Sequence, residues 1–281
     1  MTTAAPTPPA GTSPRGLSRR GLGRFVVGGV LASLVPEAWA GGRLGRYAQG
    51  PPPDLTTLAP GSRQALLVTN DGYGRTRASV TGWSLHADQG WQRVLGPFDT
   101  AWLGARGFAH PGAKVEGDLR TPTGAYTVTR AFGVDRPAGL RLPWHQVEPG
   151  DYWVDDPRAP WYNALVDSRV VGRAGVGRTN PLPRYTAAAG IDINLRRRPY
   201  AGSAVFLHPT HDSPTLGCVA LPVPQLVAVL AWLRPAAHPK VVLGVGSELV
   251  RLAGGPLRPP PPPRPPTPTP PPPTSPPPPV P

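Results

Sequence analysis

The single cysteine of the chain, Cys218, follows His208 by ten residues and His211 by seven. A thiol within reach of an imidazole is the minimum equipment for a nucleophile and its base. The stretch around them, Gly202 to Pro222, reads GSAVFLHPTHDSPTLGCVALP. Its apolar, partly β-branched start, Ala204 to Leu207, predicts a short buried strand that delivers His208 at its end. Pro209 and Pro214 keep the residues between out of regular structure. Gly217 permits a tight turn just before Cys218, and Val219-Ala220-Leu221 returns to an apolar run. Three chemistries fit this pattern. Cys218 can be a buried small hydrophobe with the histidines as loop residues. His208-x-x-His211, Cys218 and Asp212 can be ligands of zinc type, although the second regular ligand pair of such sites is missing. Or Cys218 and His208 form a dyad, with the N–H groups of Leu216, Gly217 and Cys218 turned towards a developing oxyanion. The dyad needs no metal and no cofactor, and neither is expected.

The segment resembles the catalytic signature of the L,D-transpeptidase family, bacterial enzymes that cross-link peptidoglycan stem peptides through a cysteine. The likeness rests on Phe206-Leu207-His208 followed by Thr215-Leu216-Gly217-Cys218-Val219-Ala220-Leu221-Pro222. A second, upstream segment, Gly117-Asp118-Leu119-Arg120-Thr121-Pro122-Thr123-Gly124-Ala125-Tyr126, is similar to the family's Gly-Asp…Thr-Pro-x-Gly-x-aromatic stretch. Leu216 stands where the commoner pattern has histidine, and the ten-residue spacing is short. Both traits are those of a branch ending Gly-Cys-Val-Ala-Leu-Pro. The resemblance implies Cys218 as nucleophile and His208 as base, an oxyanion hole from the backbone of Leu216, Gly217 and Cys218, and a histidine oriented by the carbonyl of Pro209. Thr215, Asp192 and Asn194 are candidate supporting residues, and His211 is the rival base. It further implies an acyltransferase that takes donor and acceptor stems through a thioester. A hydrolase of the same stems and a non-catalytic wall-binding protein are the alternatives.

Positioning these residues calls for a mainly β fold. Apolar alternation predicts strands over Gln64–Thr69, Ala78–His86, Trp91–Leu95, Ala125–Phe132, Tyr152–Val154, Ala187–Asn194, Ala204–His208, Val219–Leu221 and Lys240–Val245. Gly, Pro and Asp turns between them indicate a β-sandwich or barrel. One helix is expected after the cysteine, from Pro224 to Leu233. Leu226, Val229, Leu230 and Leu233 share one face of it, proline suits its first turn, and Arg234-Pro235 ends it. Asp192 and Asn194 fall on one face of their strand, placed either to support the catalytic loop or to hold hydrogen-bonded structure. Asp151 to Asp167, with Trp153, Trp161 and Tyr162 among acids, reads as a long covering loop or as the wall of a peptide groove.

The flanks differ in kind. Residues 1–40 carry Ser18-Arg19-Arg20, an apolar run from Phe25 to Leu34 and Ala38-Trp39-Ala40, the pattern of a signal peptide of twin-arginine type. That run is too short to span a bilayer. Residues 41–61 read as a linker, 62–250 as the catalytic domain and 251–281 as a disordered proline-rich tail, with prolines at 18 of the last 26 positions. Such a tail favours an extended polyproline II rod. Residues 1–40 hold four arginines and one glutamate, a net +3, so +10 of the formal +13 remains without them. In an exported protein of the periplasm or cell wall, that charge suits anionic wall polymers rather than nucleic acid.

Overall fold

The computed structural model describes residues 55, 61–172, 176 and 179–249. The expected signal peptide, almost all of the linker and the proline-rich tail lie outside the described residues. Ten strands form one sheet in the order β4-β13-β1-β2-β3-β12-β11-β10-β5-β6. In chain order these are β1 (Gln64–Asn70), β2 (Arg77–His86), β3 (Gly90–Trp102), β4 (Gly124–Thr127), β5 (Ala131–Gly133), β6 (Trp144–Gln146), β10 (Ala188–Gly190), β11 (Phe206–Pro209), β12 (Val219–Leu221) and β13 (Lys240–Val245). The remaining three, β7 (Asp151–Val154), β8 (Leu165–Asp167) and β9 (Thr179–Pro181), make a second sheet in the order β8-β7-β9. The fold is mainly β, as the turn-rich pattern requires.

β4 and β5 are joined by three residues yet lie far apart in the order of the large sheet, which therefore curls back on itself. Thr127 O accepts from Asp192 N at 3.0 Å and Arg130 O from Gly190 N at 3.1 Å, tying the two regions together. The enclosed core includes Leu66, Val68, Phe108, Leu207, Val219, Leu221 and Leu243. Helix α2 (Val223–Trp232) links β12 to β13 and buries Leu226, Val229 and Leu230, with Leu233 also fully enclosed. α1 (Ser168–Val171) is a single turn, capped by Asp167 accepting from Arg169 N. Four residues are too few to show a helical period, so only α2 is visible in the sequence.

Several boundaries differ from expectation for identifiable reasons. β3 runs through Pro97 to Trp102 because its register against β2 jumps from Gly82↔Leu95 to Val80↔Phe98. That bulge absorbs Gly96 and Pro97, so the proline blocks no ladder bond. The expected strand Ala125–Phe132 is two strands, broken where the chain passes from β13 to β10 as pairing partner. The strand expected over Ala187–Asn194 stops at Gly190, Ile193 N turns back onto Ile191 O, and Asn194 takes φ 47°. Asp151–Asp167 is not loop throughout: β7 and β8 pair antiparallel at its two ends, and residues 155–164 connect them. No helix among the described residues is long and apolar enough to cross a membrane.

Candidate active site

β11 and β12 are parallel neighbours, with Leu207 opposite Val219 and His208 opposite Ala220. Side chains alternate along strands, so Phe206 and His208 share a face with Cys218 and Ala220. His208, Cys218 and Ala220 line one cleft of about 1100 Å³. Cys218 is 8% exposed. Its sulfur lies against the backbone of the strand that carries the histidine, receiving Phe206 N–H at 3.4 Å and donating to Ala204 O at 3.4 Å. Burial raises the thiol to about 11, against the opposing influence of Phe206 N–H and the Lys114 charge.

His208 Nδ1 lies 2.8 Å from Pro209 O. A carbonyl only accepts, so Nδ1 carries the proton and Nε2 is the basic nitrogen. Burial is the first cause that holds the imidazole below its ordinary value. The charges of His211 and Arg184 act the same way, and the Pro209 carbonyl opposes them. The ring is therefore neutral at neutral pH and able to take a proton. Tyr185 meets it edge-on, centroids 5.6 Å apart. His211 also lines the cleft but is exposed in the loop.

The turn before Cys218 is fixed by hydroxyls. Thr215 Oγ1 accepts from Gly217 N at 3.1 Å and donates to Cys218 O at 3.0 Å. Thr215 is itself laced to the segment after β3, its N–H to Leu103 O and its carbonyl to Ala105 N, both 2.8 Å. Thr121, fully buried, donates to Cys218 O at 2.9 Å and accepts from Gly104 N at 2.9 Å. The upstream Gly-Asp…Thr-Pro segment is thus the clamp beneath the cysteine turn. Gly217, at φ 140°, leaves no room for a side chain: a Cβ would lie 2.9 Å from Arg120 O. One expectation needs restating, because Gly217 N–H is donated to Thr215 rather than left open to an oxyanion.

The other expected residues are scattered. Asp192 accepts from Thr127 Oγ1 at 2.9 Å, and Asn194 holds the 194–202 loop through Arg198 O at 2.9 Å and Gly202 O at 3.1 Å. Neither lines the cleft. Among the described residues no group of three or more His, Cys, Asp or Glu side chains is arranged to hold a metal ion. The structure adds Lys114, Thr121, Arg184 and Tyr185, none singled out from sequence as site residues. Lys114 had one signal, being one of only two lysines among 29 basic residues. Arg184 closes the short 3-10 turn Leu182–Arg184 and Tyr185 follows it, and no local pattern announces that they act on His208.

Residues 63–243, well over half of the chain, match the L,D-transpeptidase catalytic domain. No curated protein and no solved structure matches it.

Proposed function

The chain belongs to the L,D-transpeptidase catalytic-domain family, and from that premise we propose that it is an exported enzyme that cross-links peptidoglycan stem peptides through a thioester on Cys218. The observation that carries this reading is the fixed tautomer of His208: Nδ1 is engaged by Pro209 O, and Nε2 stays basic in the cleft that also holds the sulfur.

His208 Nε2 takes the thiol proton as Sγ attacks the carbonyl carbon between the L-configured centre of the donor stem and its terminal D-alanine. The C–S bond forms and the carbonyl electron pair moves to oxygen. The N–H groups of Cys218 and Leu216 meet that oxyanion, Gly217 N–H being committed to Thr215. Collapse breaks the C–N bond, His208 returns its proton to the departing amine, and a thioester remains. An amine of a second stem then attacks, yields its proton to His208, and expels the sulfur, which recovers that proton. One amide is broken, one is formed, and D-alanine is released. Because burial holds the thiol at about 11, the resting pair is neutral, and the thiolate forms only as the base acts. Residues 1–40 supply export, and the positive charge supports contact with anionic wall polymers.

The test is intact-mass measurement after incubation with a tetrapeptide stem. The expected adduct is the stem less D-alanine, absent in Cys218→Ser and formed roughly 10²–10⁴-fold more slowly in His208→Ala. Undiminished turnover by Cys218→Ser removes the thiol from the mechanism.

A further inference from the structure

The cleft contains a cation to which the reaction above gives no task. Lys114 starts a tight loop in which Asp118 accepts from Val115 N at 3.1 Å and Arg120 N at 2.9 Å, and its carboxylate also pairs with Lys114 Nζ. Nζ donates to Val115 O at 3.1 Å, and the lysine side chain is only 13% exposed. Its stem runs over two glycines. A Cβ on Gly202 would lie 3.0 Å from Lys114 Cγ and 3.1 Å from Cε, while one on Gly217 would lie 3.6 Å from Nζ. Any larger residue at Gly202 would displace the stem. The absent side chain at Gly217 leaves the ammonium beside the Gly217–Cys218 peptide. Lys114 lines the same cleft as Cys218 and His208. There the turn has one amide fewer to offer than its sequence suggests, since Gly217 N–H is spent on Thr215.

We propose that Lys114 is a positioning residue for the nucleophile, a fixed positive charge that favours the Cys218 thiolate and the oxyanion formed on it. This deepens the reading of Cys218 as nucleophile and rests on it. The S–H bond breaks, its proton goes to His208 Nε2, and the electron pair stays on sulfur. Lys114 remains an ammonium throughout. Other charged or titratable groups line the same cleft: His208 on β11, Arg184 in the 182–184 turn and Tyr185 after it, His211 in the loop, and Glu116 and Asp155. Of these, Lys114 is the one whose charge acts to lower the thiol, opposing the larger effect of burial. The gain is large for a single charge because an ion in a partly enclosed site is weakly screened. Asp118, paired with the ammonium, opposes part of that field.

The test uses the full chain and iodoacetamide, an uncharged probe that a lysine does not attract. Cys218 is the only thiol, so the alkylation rate from pH 6 to 12 reports it alone; with the thiol at about 11, a midpoint past that range is read from the rate at pH 8, which falls tenfold for each unit the midpoint rises. Lys114→Met should move the midpoint of the profile to higher pH and slow alkylation at pH 8 about tenfold, the equivalent of one pH unit. Lys114→Arg should keep the wild-type midpoint. Asp118→Asn, nearly isosteric, should move it to lower pH. Folded Lys114→Met with a wild-type midpoint overturns the proposal, as does an equal shift in Lys114→Arg. Should Lys114→Met fail to fold, Asp118→Asn decides, because an unmoved midpoint there leaves the charge without effect. No stem peptide is present, so failure of acylation by a stem sinks the substrate reading and leaves this one standing.

Discussion

Burial pushes Cys218 and His208 towards their neutral forms from opposite sides, raising the thiol and lowering the imidazole. Two titrations follow. Arg184 adds to the lowering of His208, so Arg184→Gln should raise the midpoint of the His208 ring resonance followed by NMR. The protonated fraction at pH 6 would grow, and the acylation rate there would fall. An unmoved resonance would remove Arg184 from the balance. The thiol gives a stability effect of definite sign. Below pH 9, the ordinary value, both folded and unfolded chains keep the proton and stability owes nothing to it. Between 9 and about 11 the unfolded chain loses the proton and the folded chain keeps it, so stability falls as pH rises. Melting temperatures of wild type and Cys218→Ser should therefore differ by a constant amount below pH 8. Above pH 9 the wild type should lose ground. A constant difference up to pH 11 would mean that the buried thiol ionises as freely as an exposed one. Thr215 is the third residue-level test. Thr215→Val loses the acceptor for Gly217 N and a donor to Cys218 O, and should slow acylation about tenfold or more, whereas Thr215→Ser should hold within a few-fold. Equal loss in both would assign Thr215 to packing instead.

At the scale of elements, the small sheet β8-β7-β9 packs Trp153 against the apolar cluster that contains Cys218. Trp153 on β7 meets Phe206 at 5.0 Å and Phe132 at 6.0 Å between ring centroids, and both belong to the cluster that contains Cys218. Trp153 Nε1 also donates to Asn163 Oδ1 at 2.9 Å. Trp153→Ala should cost about 2–4 kcal/mol of unfolding free energy. By admitting water it should also move the alkylation midpoint of Cys218 to lower pH. A folded variant with an unchanged midpoint would show that this sheet does not set the thiol's environment. The same sheet shows what the sequence conceals. The strand ending at His208, the apolar run after Cys218 and the face of α2 are legible because each is a local period of two or nearly four. Thr121 beneath the cysteine turn is not, since its bond to Cys218 O spans 97 residues and is set by the curl of the large sheet. Nor is Lys114, whose place depends on gaps at Gly202 and Gly217, both distant in sequence. Asp192 and Asn194 take the hydrogen-bonded structural role of their two readings. Their alternation is that of a strand, but the backbone turns at Ile191–Ile193 and takes both side chains away from the cleft.

At the scale of the chain, the question is where the folded unit can be cut. β13 is an interior strand, parallel to β1 on one side and antiparallel to β4 on the other. The turn after it still contributes: Leu249 is buried with Leu55, Ala65, Leu67, Trp83 and Val242, and Tyr73 OH donates to the Glu248 carboxylate. The match to the family ends at residue 243, short of these contacts. From residue 256 onward the composition changes to prolines at 18 of 26 positions. Proline has no N–H to give a sheet, and that stretch offers little apolar side chain for a core to enclose. A chain ending at Gly255 is therefore expected to keep the melting temperature and the alkylation profile of the full protein. A chain ending at Val245 loses Leu249 and Glu248 and should be less stable by about 2–5 kcal/mol, the usual size for a deleted buried leucine. If residues 256–281 form the polyproline II rod expected from their sequence, at about 3.1 Å per residue they would reach roughly 80 Å, which is the spacer reading we propose for them. Retention in the wall fraction should accordingly drop in the Gly255 chain although its chemistry does not. A large fall in its melting temperature would place the proline-rich stretch against the domain, and the spacer reading would be abandoned.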